Sequence, residues 1–238
     1  MNPKELFQAG RLSEAIQALS AELRDNPTDD RRRTFLFELL CFAGDYDRAE
    51  KQLGILAQGG PQAEMGTLLY RAALQAERTR QEMYARREYP RVAEAPGAIS
   101  GQWNGKPFES LSDADDRLGT KLEVFVAGTY LWLPFEHVAS IQVAPPRRLR
   151  DLLWLPAMIR TGPAFEGREL GEVLLPALYP ASWRHPDEAV RLGRATVWEE
   201  QEDGEVAPAG PKLLLVDGEE FPLLELRALE VTPPAPAA

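Results

Sequence analysis

The chain has 238 residues, 44% of them hydrophobic, which is enough to bury the core of one or two globular domains and too apolar for a disordered polymer. Its formal net charge of −10 is held unevenly: residues 1–99 carry 14 Lys and Arg against 15 Asp and Glu, whereas residues 100–238 carry 13 against 22. A half that acidic repels phosphate backbones and argues against nucleic acid as a partner, and the basic run Arg31-Arg32-Arg33 reads as the solvated start of a helix.

The opening MNPKELFQAGRLSEAI places charges within its first turns and holds no apolar run, so it reads as neither a signal nor a transit peptide. No stretch approaches the roughly 18–20 apolar residues that cross a bilayer, the most apolar run being Leu152–Ile159, which predicts a soluble protein with no membrane partner. Cys41 is the single cysteine, has no partner for a disulfide or a zinc site, and reads as a small buried apolar group in a reducing, cytoplasmic setting.

The first hundred residues repeat with a period of 34: Leu6 recurs as Leu40, Ala9-Gly10 as Ala43-Gly44, Ala15 as Ala49, Leu19 as Leu53 and Pro27 as Pro61. That is the tetratricopeptide spacing. Gly10 and Gly44 stand where a first helix must end in a left-handed residue, and Ala15 and Ala49 where two helices of a hairpin touch. Pro27 and Pro61 stop one unit and start the next. The pattern predicts helices at 2–9, 12–24, 29–43, 46–57 and 62–85, with Asp29 and Asp45 as N-terminal caps or first-turn acids.

Stacked hairpins line their inner face with the first helix of each unit. Here that face comprises Arg31, Thr34, Glu38, Cys41 and Phe42, followed on the fifth helix by Met65, Leu68, Ala72 and Gln75. The run Phe35 to Phe42 is apolar almost all round, so a second surface must cover it. That surface is either the rest of the chain or a helix or peptide from a partner.

Residues 86–105, punctuated by Tyr89-Pro90, Ala95-Pro96-Gly97 and Gly101, read as a linker between a helical domain at 1–85 and an acidic β-rich domain at 106–232. Strands are expected at 121–126, 129–133, 140–143, 152–159, 171–175, 195–199, 212–216 and 221–231, with Asp217-Gly218 as a hairpin turn. A short helix should begin at His185-Pro186-Asp187 and end near Gly193. An apolar-Pro-apolar motif at Pro134, Pro156, Pro176 and Pro222 marks strand ends, edges or bends. The fold class is therefore α+β, a tetratricopeptide-like helical array followed by a mostly antiparallel, barrel-like β domain, and the tail 233–238 is expected to be disordered.

No catalytic constellation emerges, and no cofactor is expected. Ser100 lacks the glycine two residues before it that a nucleophile elbow needs, and Gly105-Lys106-Pro107 lacks both the upstream glycine and the hydroxyl residue of a phosphate loop. His137 and His185 lie in unrelated segments, which disfavours a zinc site or a catalytic triad. The acidic cluster Asp113-Ala114-Asp115-Asp116 could hold a hard cation in a metal-dependent enzyme, but it lacks the glycine and distal glutamate of a calcium loop and reads better as the cap of a short helix at 113–118.

One family resemblance covers nearly the whole chain. The run Arg33-Thr34-Phe35-Leu36-Phe37-Glu38-Leu39-Leu40-Cys41-Phe42-Ala43-Gly44-Asp45-Tyr46-Asp47-Arg48-Ala49-Glu50-Lys51-Gln52-Leu53 closely resembles the signature of the ImpE/TagJ (SciE) family of bacterial type VI secretion accessory proteins. Further matches follow in order at Asp113–Gly119, Tyr130–Glu136, Leu149–Trp154 and Phe221–Glu225. The resemblance implies a non-catalytic cytoplasmic adaptor that binds the N-terminal helix of the small sheath subunit, TssB, and influences sheath disassembly by the ClpV-type ATPase. The residues alone leave open a general interaction scaffold or a self-dimer using the β domain.

Overall fold

The computed structural model describes residues 1–90, 99–162, 165, 170–201 and 204–232. The core of the expected linker and the expected disordered tail lie outside these residues.

Five helices follow the repeat closely: α1 (Pro3–Gln8), α2 (Leu12–Asp25), α3 (Asp30–Phe42), α4 (Tyr46–Leu56) and α5 (Pro61–Ala85). Asp29 and Asp45 cap α3 and α4 by accepting the backbone N–H of Arg32 (2.9 Å) and Arg48 (3.3 Å), satisfying donors a helix start leaves free. Ala15 and Ala49 are wholly buried at the hairpin contacts. Gly44 ends α3 with φ +70°, and a side chain there would collide with the Trp183 ring.

The second half is antiparallel throughout its strand pairs. Its strands are β1 (Gly101–Trp103), β2 (Lys106–Phe108), β3 (Leu111–Asp113), β4 (Lys121–Val126), β5 (Thr129–Pro134), β6 (Val138–Val143), β7 (Trp154–Thr161), β8 (Gly171–Pro176), β9 (Val197–Glu200), β10 (Val206–Ala209), β11 (Leu213–Val216), β12 (Glu219–Pro222) and β13 (Ala228–Val231). Helix α6 (Glu188–Arg191), capped by Asp187, precedes β9 and starts where the sequence suggests. Among the described residues the main sheet runs β2-β1-β13-β6-β7-β8-β4-β5 and ends on β2 and β5, so it is curled rather than closed. A smaller sheet, β12-β11-β3, covers one face, and β9 and β10 form a separate hairpin.

Two hydrophobic clusters sit on opposite faces of the main sheet. One lies between it and the smaller sheet, gathering Leu122, Val124, Leu155, Ile159, Ile141, Leu175, Leu214 and Leu229. The other joins the helices to the sheet: Leu36, Phe37, Leu40, Phe42 and Leu74 pack in one core with Phe125, Tyr130, Trp154 and Leu174. The halves thus share a core.

Four details depart from the sequence reading. The segment 221–231 is two strands, because Pro222 ends β12 and a 3₁₀ turn at Leu223–Glu225 buries Leu223 while carrying the chain to the main sheet. Leu152 belongs to a 3₁₀ turn and β7 starts only at Trp154. Gly101–Trp103, read as the end of a linker, is a strand paired with both β2 and β13. Residues 114–120 form turns instead of a short helix, since Asp113 is drawn into β3 beside β11.

An apolar cleft between the long helix and the sheet

Helix α5 crosses the outer face of the main sheet. Thr67, Ala73, Leu74, Ala76, Glu77 and Arg80 are buried, whereas Met65, Leu68 and Leu69 are exposed at 73%, 54% and 51%. These three and Ala72 recur at i, i+3, i+4 and i+7, the spacing of a helix-packing seam. Its Leu69 and Ala72 end lines a cleft of about 340 Å³. Leu69, Ala72 and Ala73 form one wall, and the floor comes from Phe125, Pro156, Met158 and Leu174, with Gln142 and Glu172 as its polar groups.

Strand alternation supplies that floor. In β7, Leu155, Ala157 and Ile159 point into the core beneath the sheet, which turns Pro156, Met158 and Arg160 outward. The β4–β5 hairpin closes one end through a turn at Ala127 and Gly128, with φ of +48° and +87°, and brings Gly128 against Ala72. Left-handed alanine costs on the order of 1 kcal/mol, so packing holds this turn in place.

The nine residues expected on the inner face are not brought together. Glu38, Cys41 and Phe42 are buried with the chain's own β half packed on them, where the sequence reading placed them on an open inner face. The Glu38 carboxylate accepts from Arg150 at 2.8 Å, and Arg150 in turn lies over the Tyr70 ring. Phe37 packs on Tyr70 and Trp154. Burial pushes the Cys41 thiol well above its ordinary value, and it raises Glu38 despite Arg150. Arg31 is exposed in a surface hollow with Asn2, Lys4, Leu19, Glu22, Asp29 and Phe35, and the Thr34 hydroxyl donates to Asp30 O at 2.8 Å. Met65, Leu68 and Gln75 are exposed, and Ala72 lines the cleft. Leu69, Phe125, Pro156, Met158 and Glu172 were not anticipated. The available signals were the helical spacing of Leu69 from Met65 and the outward register of an apolar Met158.

A buried charged network also joins helix α5 to the sheet. The Arg80 guanidinium donates to both oxygens of Glu123 (2.7 and 2.8 Å), to Glu77 (3.2 Å) and to Leu178 O (2.9 Å). Lys212 reaches Glu123 at 2.6 Å and Asp113 at 2.7 Å, Tyr130 donates to Glu123 at 2.6 Å, and Trp154 donates to Glu77 at 3.2 Å. Burial alone would raise Glu123, but Arg80 and Lys212 hold its carboxyl far below the usual range. Asp113, with burial only partly offset by Lys212, is pushed up to about 6.

Two members of the acidic cluster are paired with cations of the chain itself. Asp113 is paired with Lys212, Asp115 with Arg117 at 2.7 Å, and Asp116 is exposed. Among the described residues no group of three or more His, Cys, Asp or Glu is placed to hold a metal ion. His185 accepts from Asp187 N and approaches Glu199, and His137 stacks on Phe165.

Fold and cleft define a tetratricopeptide-type helical array fused to an antiparallel β domain. The tetratricopeptide repeat model matches residues 6–74, and the model described as ImpE protein matches residues 105–230, more than half of the chain. The chain is 34% identical to the type VI secretion system accessory component TagJ of Pseudomonas aeruginosa, over 98% of this chain and 92% of that protein. Its fold matches the crystal structure of protein VPA1032 from Vibrio parahaemolyticus with a TM-score of 0.85, covering 97% of both chains at 24% identity. The chain belongs to the ImpE family.

Proposed function

We propose that this protein is a non-catalytic accessory component of a bacterial type VI secretion system that acts in the cytoplasm. In this reading it binds the N-terminal helix of the small sheath subunit TssB and thereby modulates sheath disassembly by the ClpV-type ATPase. The accessory role is supported by the similarity to TagJ along almost the whole chain. The observation that carries helix binding is the exposed seam of Met65, Leu68 and Leu69, of which Leu69 lines the apolar cleft. An amphipathic helix laid into a groove is a common mode of recognition by such surfaces, and the exposed leucines are an apolar patch that a partner would cover. No helix among the described residues is long and apolar enough to cross a membrane.

The test is co-purification of the full chain with the cognate sheath subunit, intact or lacking its first helix. Retention of the intact subunit and loss of the truncated one supports the reading. Equal retention of both places the contact elsewhere, on the β half or on another part of the sheath.

A further inference from the structure

The chemistry of the cleft says more about its occupant than that it is apolar. The floor strands β6, β7 and β8 are interior, each hydrogen-bonded on both sides, so no free ladder is offered to an extended peptide. The seam on α5 runs seven steps, from Met65 to Ala72, or about 10 Å along its axis. Opposite it, Glu172, Met158 and Gln142 stand in register across three strands, a width of about 10 Å, which is the diameter of one helix.

Within this apolar setting Glu172 is exposed and makes no hydrogen bond or ion pair with side chains among the described residues. Arg160, a cation on the same face, stands one row away opposite Ser140. On the helix side of the seam the exposed Glu64 adds a second negative charge. We infer that the helix received by this cleft carries a basic side chain that meets Glu172, so that an ion pair at the sheet side of the seam selects the partner. This deepens the helix-docking reading above and rests on it for the identity of the natural partner. Docking removes water from Glu172, and a carboxylate left unpaired there would oppose binding, which excludes helices with acidic flanks.

The probes are two labelled 20-residue amphipathic helices with the same leucine seam, one flanked by lysine and one by glutamate, titrated by fluorescence anisotropy against the full chain. The lysine-flanked helix should bind roughly tenfold tighter. Glu172→Lys should reverse that preference, about 0.5 M salt should shrink it, and Leu69→Asp should weaken both peptides. Equal binding of the two peptides, a preference unchanged by Glu172→Lys, or binding unaffected by Leu69→Asp overturns the inference. Unlabelled peptide of the sheath subunit's first helix is added as competitor. A Glu172-dependent preference without competition supports the inference and removes only the sheath reading. Competition without any preference removes only the inference, and no binding of any peptide overturns both.

Discussion

The Arg80 guanidinium on α5 grips the Glu123 carboxylate on β4 through two hydrogen bonds of 2.7 and 2.8 Å, and both side chains are sealed from solvent. This contact ties the helical array to the sheet. Arg80→Met would leave Glu77 without its cation and Glu123 with Lys212 alone. Removing one member of a buried pair costs about 3–5 kcal/mol, which urea denaturation will read as a lower midpoint. Because the halves share a core, far-ultraviolet circular dichroism and tryptophan fluorescence should report one coincident transition.

Stability should depend on Asp113 in a defined pH window. Its folded value of about 6 exceeds the ordinary 3.8, so the folded state binds more protons than the unfolded chain between these values. The sign follows: this contribution is full below about pH 4 and is lost as pH rises through 6, by at most about 3 kcal/mol. Glu38, also raised, adds a slope of the same sign. Glu123, held low, works oppositely, and its contribution disappears as pH falls below the ordinary carboxylate range. Asp113→Asn should flatten the pH 4–6 limb in chemical denaturation series and leave the acid loss in place.

Gly44→Ala should destabilise the protein more than Gly10→Ala. Both glycines are left-handed, but a Cβ at Gly44 would lie within 3 Å of the Trp183 ring, which is pinned by its bond to Gln81. At Gly10 it would meet only the flexible end of Arg194. Roughly 2–4 kcal/mol is expected for the first and about 1–2 for the second, read by thermal unfolding.

Leu68→Asp and Glu38→Arg should separate binding from folding. Leu68 is half exposed, so aspartate there should leave the melting temperature within about 2 °C of the parent and weaken peptide binding. Glu38→Arg sets a cation against Arg150 in a buried site and should lower stability by about 3 kcal/mol or more.

The helical half was legible because repeat period, caps and close-packed alanines all point to one arrangement. Asp29, Asp45, Ala15 and Ala49 each do locally what the fold requires. The β half was legible where apolar segments are long, as in β4 and β7. Strands β1, β2 and β3 have three residues each, too few for a period, and Asn104-Gly105 is the one hairpin turn signal between β1 and β2. Repeat geometry put Met65, Leu68 and Ala72 on one face of the fifth helix, but it could not say that the β half would bury Glu38, Cys41 and Phe42, because that depends on how two distant segments pack. Likewise Lys212 and Glu123 look like ordinary strand charges until the fold buries them together.

The most direct measurement is calorimetric titration of the full chain with a synthetic peptide of the cognate TssB N-terminal helix, repeated with Leu68→Asp. Saturable binding at micromolar or tighter affinity, weakened at least tenfold by the substitution with the fold intact, is the predicted result. No binding at high micromolar peptide, or equal binding to both proteins, would contradict the account.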